Sequence, residues 1–199
     1  MARTQGSYGE ITAPKMRRAA TRLFAQHGYA AVSMRQIAAD IGVQVGTLYN
    51  HTSDKQTLLF DLMHDHMALL LDTVETEAEQ DPFARLDAFV RLHIRFHLQR
   101  PDAVFIAYME LRNLTPDNFS VIEQMRRRYE DYLEDIMRAG KDTGVFAVHD
   151  TKIATLAVIA MLTGTTTWYR ASGRLSVDAI EAEYIALVRR AVSPASIPD

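Results

Sequence analysis

The sequence predicts an all-α chain, with three N-terminal helices arranged as a helix-turn-helix and a larger helical region behind them. Three observations support this. Apolar residues recur at three- and four-residue steps through most of the 199 residues, the period of an amphipathic helix. Residues that start and stop helices punctuate the pattern, as at Gly28, Ser33, Asp81-Pro82 and Pro101. Strand-like alternation is nowhere sustained, and no internal repeat or low-complexity run interrupts the chain.

Taken in order, Ala13 to His27 forms the first helix, with Met16, Ala20, Leu23, Phe24 and His27 on one face and Gly28 as its C-terminal cap. Ser33 opens the second, and Gln36 three residues on completes a capping-box spacing. Ile37, Ala38 and Ile41 face inward, and Ile41-Gly42-Val43 makes a turn in which Gly42 adopts the left-handed conformation. The third helix, about Gln44 to His51, is too short to be a core element, and Leu48 anchors it. A long helix follows from near Ser53 to about Glu79, with Leu58, Leu59, Leu62, Met63, His66, Leu69 and Leu70 on a broad face. Asp81-Pro82 starts the next, running to about Gln99. Pro101 opens another to about Asn113, and Phe119 to Ala139 is closed by Gly140 and the Asp142-Thr143-Gly144 turn. Two last helices, about Asp150 to Tyr169 and Ser176 to Ala191, are joined by Ala171-Ser172-Gly173, and the final SPASIPD is expected to fray. The expected division is residues 1–55 for the three-helix domain and 56–199 for the remainder.

Composition narrows the function classes. A hydrophobic content of 48% is ample for a core, and no run approaches the ~18 apolar residues of a membrane span. Cysteine is absent, which excludes disulfides and thiolate chemistry. With no apolar core of a signal peptide in MARTQGSYGEITAPK, a cytoplasmic setting without a membrane partner is expected. The net charge of −3 conceals an asymmetry: residues 1–60 carry seven Lys or Arg against three Asp or Glu, and the rest carries fifteen against twenty-two. A basic head on an acidic body can hold phosphate at one end.

A short, rigidly held third helix lined with small and hydrogen-bonding residues suits a DNA major groove. The second and third helices with the start of the fourth match, at Ser33-Met34-Arg35-Gln36-Ile37-Ala38, Gly42-Val43, Gly46-Thr47-Leu48-Tyr49, His51 and Lys55 with Leu58-Leu59, the pattern of a known family, as do Ala19-Ala20, Leu23-Phe24 and Gly28-Tyr29 before them. Residues 13–59 thus resemble the DNA-binding domain of TetR-family regulators. The resemblance implies a C-terminal domain that binds a ligand and dimerises. Two departures stand out: Thr52 and Gln56 occupy positions where the family usually has a large apolar residue and often Glu. Loss of the apolar plug is expected to loosen the third helix against the fourth, at a cost in stability.

Roles follow from chemistry and motif position. Lys55, near a helix start with free backbone N–H groups, is expected to clamp phosphate. Tyr49 and His51 can donate to phosphate oxygens, Thr47 to phosphate or base, and Ser33 caps with an added phosphate contact. Arg35 is the candidate for guanine readout, Gln44 and Val45 form the variable edge, and Gly46 permits close backbone approach. One head reads few base pairs, so a homodimer on palindromic double-stranded DNA is expected. The resemblance implies pairing through the last two helices, where Ala157, Ala160, Met161, Gly164 and Trp168 would face Ile180, Tyr184, Leu187 and Val188.

The effector site is less sharply drawn. Phe89, His93, Phe96, His97, Phe105, Tyr108, Met109, Trp168 and Arg170 are candidates to line an apolar cavity, although aromatics and methionines at helical spacing are more often core. His93 and His97, four apart, lack the cysteine or carboxylate that would complete a metal set, so no metal or cofactor is expected. No nucleophile elbow, phosphate loop or HExxH helix suggests catalysis. Trp168-Tyr169 with Gly173, Leu175 and Ser176 is similar to a segment of TetR-type regulators of fatty-acid and sterol breakdown, which implies acyl-CoA effectors with Arg170 and Arg174 toward the CoA phosphates. Aromatic or drug-like effectors fit the cavity equally. The reading is a ligand-responsive repressor, set against a helical hydrophobic-ligand carrier or enzyme-like protein with no DNA role.

Overall fold

The computed structural model describes residues 6–74 and 81–194, and every regular element among them is helical. The helices are α1 (Gly6–His27), α2 (Met34–Asp40), α3 (Val45–Leu48), α4 (Lys55–Val74), α5 (Pro82–Leu98), α6 (Pro101–Met109), α7 (Pro116–Asp142), α8 (Thr151–Thr163), α9 (Thr165–Trp168) and α10 (Val177–Val192), with a 3-10 turn at Leu111–Asn113. None is long and apolar enough to cross a membrane. The expected end of the long helix near Glu79 lies outside the described residues.

The chain forms two compact units, residues 1–68 with 102–123, and residues 69–101 with 124–199. The first is therefore larger than the 1–55 expected, because the chain returns to it through α6 and the start of α7. Its core is drawn from every nearby helix: Met16, Ala20 and Phe24 of α1, Ile37 and Ala38 of α2, Leu48 of α3, and Leu58 and Leu59 of α4 are all buried. Local chemistry agrees with this burial. Ser33 accepts from the Gln36 N–H while the Gln36 side chain accepts from the Ser33 N–H, a complete capping box. Gly42 turns the chain between α2 and α3 at φ +71°, a conformation costly for residues with a Cβ. Arg22 reaches Asp40 at 2.6 Å and ties α1 to α2. α1 begins at Gly6 rather than near Ala13, so Pro14 lies inside it and removes one helix N–H.

In the second unit α5 is central, touched by α8, α9 and α10. Asp81 caps α5 through the Ala84 N–H at 2.8 Å. Two carboxylate pairs join α5 to α10: Arg189 is bidentate on Asp87 at 2.8 and 2.7 Å, and Arg95 bridges Asp178 and the buried Glu181. Two helix ends depart from expectation for visible reasons. Gly140 lies within α7 rather than closing it. The Phe146 ring packs where its Cβ would be, 2.0 Å away, and Gly144 takes the left-handed turn instead. The single helix expected from Asp150 to Tyr169 is broken at Gly164. The hydroxyls of Thr165, Thr166 and Thr167 each bond back to the carbonyl three residues earlier, competing with the helical ladder.

His93 is fully buried in this unit. Its Nδ1 lies 2.7 Å from the Tyr129 hydroxyl, its Nε2 lies 3.1 Å from Thr163 Oγ1, and its ring stacks on His97 at 3.8 Å. His97 donates through Nδ1 to the His93 carbonyl at 2.8 Å. Burial, reinforced by the neighbouring His97, holds His93 well below the ordinary histidine value of 6.5. An unfolded chain titrates near that ordinary value and binds more protons below it. The His93 contribution is therefore complete above about pH 6.5 and is lost as pH falls toward the native value. Thermal unfolding of this unit should be flat between pH 7 and 8 and lose at most about 1.4 kcal/mol per pH unit from this ring below 6.5. His93→Gln should flatten that slope, as scanning calorimetry across the range would show.

Candidate nucleic-acid interface and effector site

α3 presents one anchored and several outward positions. Leu48 is fully buried, whereas Tyr49 is 51% exposed and Gln44 and Gly46 are exposed. A Cβ on Gly46 would meet nothing within 4 Å, so nothing within this chain requires glycine there. Val45, Thr47 and His51 are half-buried on the same short helix and its exit. Arg35 is exposed on α2 and has no ion pair among the described residues, so its guanidinium is available to a base edge. Tyr49 at this exposure stands out rather than packing inward.

Lys55 behaves differently from the phosphate clamp expected. Its ammonium donates to the Tyr29 carbonyl at 2.9 Å and the Val32 carbonyl at 2.8 Å, and sits 4.1 Å over the Tyr29 ring. Partial burial lowers its pKa. Two of its three N–H donors are engaged within the chain, leaving one for a phosphate. The N-terminus of α4 is also capped internally. Asp54 accepts from the Thr57 N–H at 2.7 Å, and that bond holds its carboxylate below the usual range. A fixed negative charge at this helix start opposes an anion there. Lys55 thus first ties the connection before α2 to the start of α4. Thr52, expected to loosen α3, is buried instead. Its hydroxyl donates to the Asp54 carbonyl at 2.9 Å, and its N–H reaches the Leu48 carbonyl at 3.2 Å.

This geometry, a capped α2, a glycine turn and a short outward α3, is that of a helix-turn-helix reader. The description "Bacterial regulatory proteins, tetR family" matches residues 17–62, and "Tetracyclin repressor-like, C-terminal domain" matches residues 79–192. The chain belongs to the TetR family. It is a DNA-binding transcriptional regulator of the TetR type. Among relatives, the HTH-type transcriptional repressor KstR2 of Rhodococcus jostii (strain RHA1) is 24% identical over 173 residues, covering 85% of each chain. A bacterial regulatory protein in the TetR family from Rhodococcus RHA1 superposes with a TM-score of 0.87 at 26% identity, covering 94% of this chain and 99% of that one. AibR, solved in complex with isovaleryl coenzyme A and operator DNA, gives 0.80 at 26% identity, covering 88% and 96%.

The effector candidates of this TetR-family chain separate into groups. Phe89, His93, Phe96 and His97 are buried in the second unit, where the Phe89 ring lies tilted against Tyr129 at 5.3 Å. Phe105, Tyr108 and Met109 belong to the first unit, with Phe105 and Met109 exposed. Trp168 and Arg170 line a cleft of about 270 Å³ with Tyr169, Gly173, Arg174 and Leu175. Trp168 stacks on Tyr184 at 6.5 Å. On the expected pairing face, Ala157, Ala160 and Leu187 are exposed, and Met161, Gly164 and Tyr184 are half-buried. Ile180 and Val188 are 1% and 0% exposed, buried within their own unit. On α8, Ile153 and Leu156 are 67% and 45% exposed.

Tyr29, Gln56 and Glu110 were not singled out from the sequence as site residues. Gln56 did stand out as a departure from the family pattern, and that was the available signal. Two substitutions separate the roles. Lys55→Met should cost about 1–3 kcal/mol of stability, read as a lower melting temperature, and weaken all duplexes alike. Arg35→Ala should leave melting unchanged and relax base preference by about 1–3 kcal/mol at one position; equal loss on operator and scrambled DNA would contradict that role. Gly46→Ala should preserve or raise helix stability, by up to about 1 kcal/mol, while weakening DNA binding, as paired melts and titrations would reveal.

Proposed function

We propose that this chain is a homodimeric repressor that reads a palindromic operator and is released from it by a hydrophobic effector, with acyl-CoA thioesters the class to test first. The outward face of α3 carries the reading: Gln44, Gly46 and Tyr49 are exposed beside Arg35 while Leu48 alone is fully buried on that helix. The residues that would touch DNA lie within 1–55, and the pairing and effector residues within 56–199. Ser33, Arg35, Gln44, Val45, Gly46, Thr47, Tyr49 and His51 face the duplex, and Lys55 adds its one uncommitted N–H. The dimer uses Ile153, Leu156, Ala157 and Ala160 along α8 with Leu187 of α10, an exposed apolar stripe of the kind that marks an interface. Two heads so paired meet major grooves about one DNA turn, ~34–36 Å, apart. The protein acts in the cytoplasm, where its operator is.

The acyl-CoA class is supported by the isovaleryl coenzyme A bound to AibR and by the two arginines beside Trp168 in the cleft. Guanidinium groups suit phosphates, and Trp168 offers an aromatic face. DNA and effector then oppose each other reciprocally through one two-state element.

Selection of bound duplexes from a random pool should enrich a two-fold palindrome. Enrichment without symmetry would remove the dimeric reading, and no binding would remove the DNA role. Leu156→Glu should yield a folded monomer with far weaker operator binding, measured by sedimentation and titration. Saturating acyl-CoAs should raise the melting temperature and release the operator; no change in either would end the acyl-CoA assignment.

A further inference from the structure

Gln56 lies in the first turn of α4, directly after Lys55, and both ends of its amide engage the backbone of one turn. Nε2 donates to the Asn113 carbonyl at 2.8 Å, and Oε1 accepts from the Thr115 N–H at 3.3 Å. The same Nε2 is 3.4 Å from the Tyr29 hydroxyl. Beside it, the buried carboxylate of Glu110 accepts from the Tyr29 N–H at 3.1 Å and from the Asn113 side-chain amide. Tyr29 is therefore held at its N–H by Glu110, at its carbonyl by Lys55 and at its hydroxyl by Gln56. Residues 29–32 lead into the Ser33 cap of α2, and residues 52–56 follow α3 after three intervening residues. Both chain ends of the reading helices are thus fastened to residues 110–115, a segment covalently continuous with the second unit through Pro101 and Gln124.

We propose that Gln56 is a positioning residue for DNA reading: its amide clamps the α2–α3 reader to the 110–115 turn and so sets the angle at which α3 is presented. This rests on the reading of the chain as a DNA-binding dimer. Only an amide satisfies both backbone partners. A carboxylate at position 56 has no donor for the Asn113 carbonyl and adds negative charge beside Glu110, and an apolar side chain leaves both partners unmet. Because two heads must meet two half-sites at once, an error in angle is felt as an error in spacing.

The test uses the full chain and duplexes carrying the selected half-sites at the native spacing and at spacings changed by one or two base pairs. Q56E, and Q56M as a variant of similar volume, are titrated below their melting temperatures. The expected result is about a tenfold loss of affinity at the native spacing, a smaller loss at altered spacings and, for the uncharged Q56M, an unchanged dependence on salt. A purely structural role lowers the folded fraction and scales every affinity equally, so an unchanged spacing profile overturns the clamp and leaves DNA reading intact. A wild-type chain indifferent to spacing overturns both.

Discussion

The Lys55 ammonium is the constraint on which the reading unit depends. It gathers the Tyr29 and Val32 carbonyls and covers the Tyr29 ring, so that the connection leaving α1 and the start of α4 become one fixed corner. Everything between residues 33 and 54 hangs from that corner: the Ser33 capping box, the Gly42 turn and the four-residue α3. A helix of one turn has almost no stability of its own, since nucleation is unfavourable and few internal bonds form. α3 holds its shape because Leu48 is buried and its flanks are tied down, with Thr52 bonded to Asp54 after it. Rigidity in the scaffold allows Gln44, Gly46 and Tyr49 to remain exposed without collapsing inward.

The second unit is stabilised differently. Its helices meet around α5 through apolar burial supplemented by charged pairs at the edge, Arg189 with Asp87 and Arg95 with Glu181. A buried carboxylate such as Glu181 is costly without its partner, so the Arg95 contact fixes how α10 lies on α5 more than it adds to stability. The stacked His93 and His97 fill the interior, with both His93 nitrogens on Tyr129 and Thr163 and His97 Nδ1 on a backbone carbonyl. The first of these rings has both nitrogens engaged within the protein.

Several elements were legible from residues alone because their causes are local. The capping box at Ser33 and Gln36, the left-handed Gly28 and Gly42, the Asp81 cap and the buried Leu48 each depend on a few neighbouring residues. Others depended on partners distant in sequence. Gly140 resembles a helix terminator until the Phe146 ring occupies its missing Cβ. Ile180 and Val188 share an apolar stripe with Leu187, and only the packing of the unit decides which of them is buried. Lys55 beside a helix start invites a phosphate, yet carbonyls 23 and 26 residues away engage it first.

The sequence by itself determined a helical chain with a helix-turn-helix at residues 33–51, because periodicity, caps and turn glycines are short-range properties, and its motif residues over 13–59 carried the resemblance to TetR-family DNA-binding regulators. Tertiary structure decided which apolar residues are core and which remain exposed, and it brought Tyr29, Gln56, Glu110 and Asn113 together across as many as 81 residues of chain. Such contacts carry no periodic mark, since a hydrogen bond between remote segments requires only one suitable donor and acceptor. Their positions follow from how the helices pack, and no local rule contains that information.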